Sequence, residues 1–310
     1  MSELNAHPYT IAVASGKGGT GKTTVAVGLA QSWQGPMTLL DCDVEEPNCA
    51  LFLHPEMVET SEVRTPAPVV DASRCTGCGA CARICQFNAI AVMGTKPVVF
   101  PELCHACGGC AKVCAEQAIR EEPQRTGMLE IGHRDGIRFV QGALDLGKPM
   151  ATPVIDAVRE QGAIAPDPAP GRSTDPPMVV VDCPPGASCP LLAAVTDVDY
   201  VLLVTEPTPF GLNDLRIAVE TMRVLKLPFG VVLNRSDIGM ACVKTYCEEE
   251  GIPLLLEIPE DRRIAEAYSR GESLITGAPQ MAGALRELMR RLVGMVGEKR
   301  ASEAYEEAAR

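Results

Sequence analysis

Gly16-Lys17-Gly18-Gly19-Thr20-Gly21-Lys22-Thr23 is the stretch on which the fold of this chain turns. It fits the pattern G-x4-G-K-S/T. An apolar run at residues 9–14, which reads as a strand, precedes it, and a helical pattern to about residue 33 follows. A glycine loop between a strand and a helix presents backbone N–H groups and a helix N-terminus to phosphate. Lys22 then supplies charge for the β and γ oxygens, and the Thr23 hydroxyl suits Mg²⁺. Gly16, Lys17, Gly18, Gly19, Thr20, Gly21, Lys22, Thr23 and Thr24 are the expected nucleotide contacts.

Working outward, residues 37–40 read as a second strand ending at Asp41, with Asp43 just beyond, and residues 178–181 as an apolar strand ending at Asp182 and Pro184-Pro185-Gly186. Carboxylates at the carboxyl ends of parallel strands face one crevice. Asp182 and Thr23 are therefore expected at Mg²⁺, with Asp41 supporting the metal's water shell, and Asp43 is expected to orient the attacking water. For Asp41 a helix-capping role is the open alternative. Residues 200–205 and 230–234 read as further strands, each followed by helical pattern, and residues 153–161 as a helix. Alternating strands and helices predict an α/β fold with a doubly wound, mostly parallel sheet. Residues 162–177, rich in Pro and Gly, read as a surface loop.

A second pattern interrupts the first after Leu53. Pro68-Val69-Val70 leads into Cys75-x2-Cys78-x2-Cys81-x3-Cys85, and Pro97-Val98-Val99 leads into Cys104-x2-Cys107-x2-Cys110-x3-Cys114, 29 residues later. The halves close with Ala89-Ile90 and Ala118-Ile119. In two-cluster ferredoxins three cysteines of such a run face one cubane and the fourth serves the other. On that pattern one 4Fe–4S cluster takes Cys75, Cys78, Cys81 and Cys114, and the other takes Cys104, Cys107, Cys110 and Cys85. Zinc is the alternative, but zinc sites favour separated Cys-x2-Cys pairs. The expected layout is a P-loop segment at 1–64, a small α+β two-cluster insert at 65–124, the second P-loop segment at 125–296 and a charged helical tail at 297–310.

The chain has 310 residues, 46% of them hydrophobic, and a net charge of −12, so it can bury a large core and lacks the basic surplus of a nonspecific nucleic-acid binder. Eight of the fourteen cysteines fall in the two runs, and residues 1–10 carry neither a basic nor an apolar leader segment. Together with apolar runs too short to span a bilayer, this predicts a cytoplasmic protein.

Lys17, in Lys17-Gly18-Gly19, is similar to the signature lysine of the deviant Walker A family that includes MinD, ParA, Mrp and the nitrogenase iron protein. The resemblance implies an ATP-sandwiched homodimer in which Lys17 reaches the partner's nucleotide. Asp41-x-Asp43-x4-Asn48 resembles that family's switch I, and Asn234 and Arg235 with Pro259, Glu260 and Asp261 resemble its adenine side. Cys189 stands seven residues after Asp182, the offset of a bridging-cluster ligand in the iron protein, against a structural thiol as the alternative. The C-terminal Glu303 to Arg310 lacks the basic amphipathic character of a MinD membrane helix, and Cys242-x4-Cys247 lacks the Cys-x-x-Cys spacing of Mrp. The resemblance extends to composite ATPases of anaerobes, some of which associate with the molybdenum–copper orange protein. It implies ATP, Mg²⁺ and two 4Fe–4S clusters as cofactors and a metallocluster or redox protein as partner, with cluster delivery, ATP-gated electron donation and a spatial switch as the three compatible functions.

Overall fold

The computed structural model describes residues 7–94, 96–162, 164 and 175–308. Most of the loop read at residues 162–177 lies outside the described residues. The first strand, β1 (Tyr9–Ala14), runs through the glycine loop into α1 (Lys22–Ser32) and then β2 (Met37–Asp41). Apolar on both faces, β2 and β8 (Met178–Asp182) are fully buried, as parallel strands covered by helices on either side must be. The register places Asp41 opposite Asp182. On the far side of β1 lie β9 (Tyr200–Thr205), β10 (Phe229–Asn234) and β11 (Leu254–Ile258).

Two apolar layers sandwich the sheet. One packs α1 and the long α11 (Met281–Ala308), whose Leu285, Leu288, Met289, Leu292 and Val296 recur at helical spacing, against Ile11, Val13 and Leu39. The other packs α5 (Thr152–Gly162), α6 (Cys189–Ala194), α7 (Pro209–Leu225) and α8 (Cys242–Glu249) against Ala12, Leu40 and Val181. The charged tail expected from residue 297 onward is the continuation of α11. No described helix is long and apolar enough to cross a membrane.

Where the sequence pattern breaks, the structure builds a sheet extension. After the short α2 (Cys49–Leu53), β3 (Glu56–Val70) forms the outer edge of a nine-stranded sheet and pairs antiparallel with β6 (Ile119–Arg134), which pairs with β7 (Ile137–Leu144), itself parallel to β2. β7 borders only residues 127–134 of β6, so the remainder of the β3–β6 ribbon projects beyond the sheet. The cysteine runs sit at its tip. The expected segment limits at 64/65 and 124/125 fall inside β3 and β6.

The tip is a doubled unit: α3 (Ala80–Ile84), a hairpin of β4 (Ile90–Met93) and β5 (Lys96–Val99), and α4 (Gly109–Lys112). Val70 pairs with Ile119 and Val99 with Ile90, so the opening strand of each half pairs with the closing strand of the other. Asp71 N–H donates to Ala118 O and Phe100 N–H to Ala89 O, at 2.7 and 2.8 Å. A small core of Cys81, Ile90 and Ile119 holds the halves together.

Candidate functional site

The glycine loop turns because Gly19 and Gly21 adopt φ of 77° and 97°, and Gly21 is further required because a Cβ there would lie 2.6 Å from Asn234 Nδ2. Gly16 packs directly on the backbone of Asp214 in α7, which leaves no room for a side chain. Asn234, at the end of β10, donates from Nδ2 to Thr20 O at 2.9 Å and thereby ties the loop to the sheet. Ser15 Oγ donates to Lys17 O, and Gly186 N–H donates to Ser15 O at 3.0 Å, so the segment after β8 is latched to the loop as well.

These elements enclose a cleft of about 710 Å³ lined by Gly18, Gly19, Gly21, Lys22, Thr23 and Thr24 on one wall. Asp43 and Asn48 lie on another wall, and Asn234, Arg235, Pro259, Glu260 and Asp261 close the far end. Of the expected phosphate and base contacts, all but Gly16, Lys17 and Thr20 line this one cavity. Arg235 is braced by Glu206 and Glu260 at 3.4 and 3.1 Å, and Asp261 caps α9 (Arg262–Ser269) through Arg263 N–H. Tyr268 and Leu274 add an apolar floor that motif reading missed. Asp237, which accepts from Glu260 N–H at 2.6 Å, is a second omission.

The acidic centre is tightly built. Thr23 Oγ1 donates to Asp182 Oδ2 at 2.6 Å, and Lys22 Nζ lies 3.8 Å from Asp43 Oδ2. Asp41 Oδ2 accepts from the N–H groups of Asn48 and Cys49 at 3.0 and 2.9 Å, and its Oδ1 accepts from Asp43 N–H at 3.2 Å. Both the helix-start role and the position beside Asp182 are therefore present in Asp41. Burial raises the pKa of Asp41, with Asp182 adding to the effect, and burial likewise raises Asp182 against the pull of Lys22. Asp43 is pushed up to about 6 by burial, with Lys22 opposing. Asp182 Oδ1 is buried without a hydrogen-bond partner. A cation held by Thr23 and Asp182 would complete that oxygen and offset the desolvation, so the donor set fits a hard divalent ion. Cys49, whose Sγ donates to Asp182 Oδ2 at 3.4 Å, is a third buried member of this group that sequence reasoning missed; its place directly after Asn48 was the available signal.

The cysteine runs form two cradles. Cys75, Cys78, Cys81 and Cys114 line one, and Cys85, Cys104, Cys107 and Cys110 line the other, around small cavities of about 20 and 30 Å³. Both fourth cysteines accept a backbone N–H at sulfur, Cys85 from Ala89 at 3.3 Å and Cys114 from Ala118 at 3.2 Å. Cys189 is the exposed first residue of α6 and belongs to no group of three close ligand atoms among the described residues. Cys242 and Cys247 lie on α8, Cys247 buried against the sheet.

The profile of the CobQ/CobB/MinD/ParA nucleotide binding domain matches residues 11–275, spanning the glycine loop, the acidic centre and the far end of the cleft. The chain belongs to that family. Within it, this MinD/ParA-type P-loop protein is 28% identical over 280 residues to an uncharacterized protein of Methanocaldococcus jannaschii, covering 89% of this chain and 93% of that one. An iron-sulfur cluster carrier protein of Pyrococcus abyssi is 28% identical over 144 residues, 41% of this chain and 49% of its own length. In fold, the septum site-determining protein MinD complexed with Mg-ADP from Pyrococcus horikoshii aligns over 94% of this chain and 99% of its own, at 19% identity and a TM-score of 0.54.

Proposed function

We propose that this MinD/ParA-family protein hydrolyses Mg-ATP and uses its nucleotide state to control a ferredoxin-like module holding two 4Fe–4S clusters, in the service of metallocluster assembly or delivery. The observation that carries the reading is the pair of crossed four-thiol cradles on a ribbon rooted in the same sheet as the nucleotide cleft. A tetrahedral ion with Zn–S of about 2.3 Å needs its sulfurs about 3.8 Å apart. Among the described residues no three cysteine sulfurs lie within 4.8 Å of one another, so neither cradle as it stands is the compact four-sulfur set of a single zinc. The carrier protein of Pyrococcus abyssi favours delivery over electron donation.

In the cleft, Lys22 and the N–H groups at the start of α1 hold the β and γ phosphates, and Thr23 and Asp182 are the residues for Mg²⁺. The ion supplies charge neutralisation at the phosphates. Asp43 orients water for attack on the γ-phosphorus, the P–O bond to ADP breaks, and ADP and phosphate leave. Lys17 serves the partner's nucleotide in a homodimer, and Asn234, Arg235, Pro259, Glu260 and Asp261 bound the base. The setting is the cytoplasm, and the partner is a metallocluster protein, the orange-protein type being one example. Cys189 is left outside this reading because among the described residues it belongs to no group of three close ligand atoms.

Anaerobically purified protein should contain about eight iron and eight sulfide per chain. Lys22→Ala and Asp43→Ala should abolish hydrolysis with that content intact, and Mg-ATP should accelerate cluster transfer to an apo-acceptor. Iron content near one per chain would remove the cluster reading, and ATP-independent transfer would remove the delivery reading.

A further inference from the structure

The nucleotide cleft and the cysteine cradles lie on different parts of the molecule, and a short chain of contacts joins them. Val44, immediately after Asp43, grips β7 twice. Its carbonyl accepts Leu144 N–H at 2.8 Å, and its side chain occupies the space over Gly142, where a Cβ would come within 2.8 Å of Val44 Cγ1. A displacement of Asp43 would therefore reach the end of β7 through a buried, close-packed contact.

From Leu144 the chain turns onto the ribbon. Asp145 N–H donates to Thr126 O at 2.9 Å, and Arg125 Nη2 donates to Asp145 Oδ1 at 2.9 Å. Thr126 Oγ1 lies 2.6 Å from Thr65 Oγ1 on β3, so both strands of the ribbon are engaged at one level. Lys148, Pro149 and Met150 then face Pro101 and Cys104 across one small cavity. Cys104 belongs to the second cradle, which Pro68 and Glu121 of the ribbon also line, whereas the first cradle is lined only by residues between Val70 and Ile119. The second cradle is thus proximal to the nucleotide module and the first is distal.

We propose that residues 144–150 are the element through which the nucleotide site acts on the second cradle, with Arg125 and Asp145 as the positioning pair that fixes it to the ribbon. This deepens the reading above and rests on it. Arg125 and Asp145 are 46% and 28% exposed, so replacing either disturbs no core. The pair lies outside the cleft and the cradles, so nucleotide binding and cluster content are expected to persist in its variants.

The test is hydrogen-exchange mass spectrometry of the full chain, purified anaerobically, with Mg-ADP or a slowly hydrolysed Mg-ATP analogue, and with iron and sulfide measured on the same samples. In the wild type, exchange at residues 143–150 and 101–110 should differ between the nucleotides, and residues 75–81 should respond less. Arg125→Ala and Asp145→Ala should reduce the difference at residues 101–110 by about threefold or more, with ATP hydrolysis unchanged. The exchanged pair Arg125→Asp with Asp145→Arg should recover it. Arg120→Ala, which breaks a comparable exposed pair with Glu122 on the ribbon, should leave the response intact. An equal response in both cradles, or a response that survives Arg125→Ala, overturns the relay. Protein lacking iron removes the cluster reading instead, while the exchange pattern still decides the relay.

Discussion

The two cradles share a backbone and differ in what surrounds it. Positions 29 residues apart repeat their dihedral angles: Gly77 and Ala106 at φ 70° and 51°, Gly79 and Gly108 at 74° and 70°, Asn88 and Gln117 at 54° and 48°. The linings diverge. Where the first cradle has Thr76, Glu116 and Val92, the second has His105, Phe87 and Glu121. Phe87 and His105 stack with ring centroids 3.8 Å apart, one ring from each half, and cover the second cradle. Duplication supplied a common ligand scaffold, and side-chain divergence gave the proximal site an aromatic cover that the distal site lacks and put its carboxylate, Glu121, at a different position from Glu116 of the distal site.

The most severe way to break this comparison is to remove a crossed ligand. Cys85→Ala should cost the second cluster and Cys114→Ala the first, each lowering iron by about half. Electron paramagnetic resonance of the remaining cluster reads which one survives. If Cys85→Ala instead removes the cluster of its own run, the crossed assignment is wrong. Phe87→Ala should expose the second cluster to solvent and speed its bleaching by oxygen about threefold or more, with the first unaffected. Glu121→Gln removes a negative charge from the second cradle and should make that cluster's reduction potential more positive, measured by redox titration; equal shifts in both clusters would contradict the separation of their linings. The mildest change is Ala106→Gly. It matches the glycine of the first half at a left-handed position and should stabilise the fold by about 0.5–1 kcal/mol in chemical denaturation.

The nucleotide half was legible because local pattern and tertiary role coincide there. Residues 9–24 carry strand, glycine loop and helix start in one run, and Asp41, Asp43 and Asp182 follow from strand ends. β3 was illegible because Glu56 through Glu62 are all exposed, so no alternation of apolar and polar residues marks the strand. Asp237 and the Arg125–Asp145 pair acquire meaning only through partners distant in sequence, on which periodicity is silent, and Cys49 had only its place after Asn48 to mark it. The cysteine spacing grouped the thiols that line each cradle but did not report the asymmetry, which needs Phe87 and His105 to be seen in contact.

Val70 and Ile119, the residues on either side of the doubled unit, are opposite rungs of one antiparallel ladder. The whole unit therefore occupies the place of a hairpin loop. A long insertion between two strands that are already paired adds little closure entropy, since that cost grows only slowly with length. A lineage could acquire or discard such a unit in one genetic step without reworking the host sheet, and an engineer could replace it with a tight turn or graft it onto another hairpin of this family.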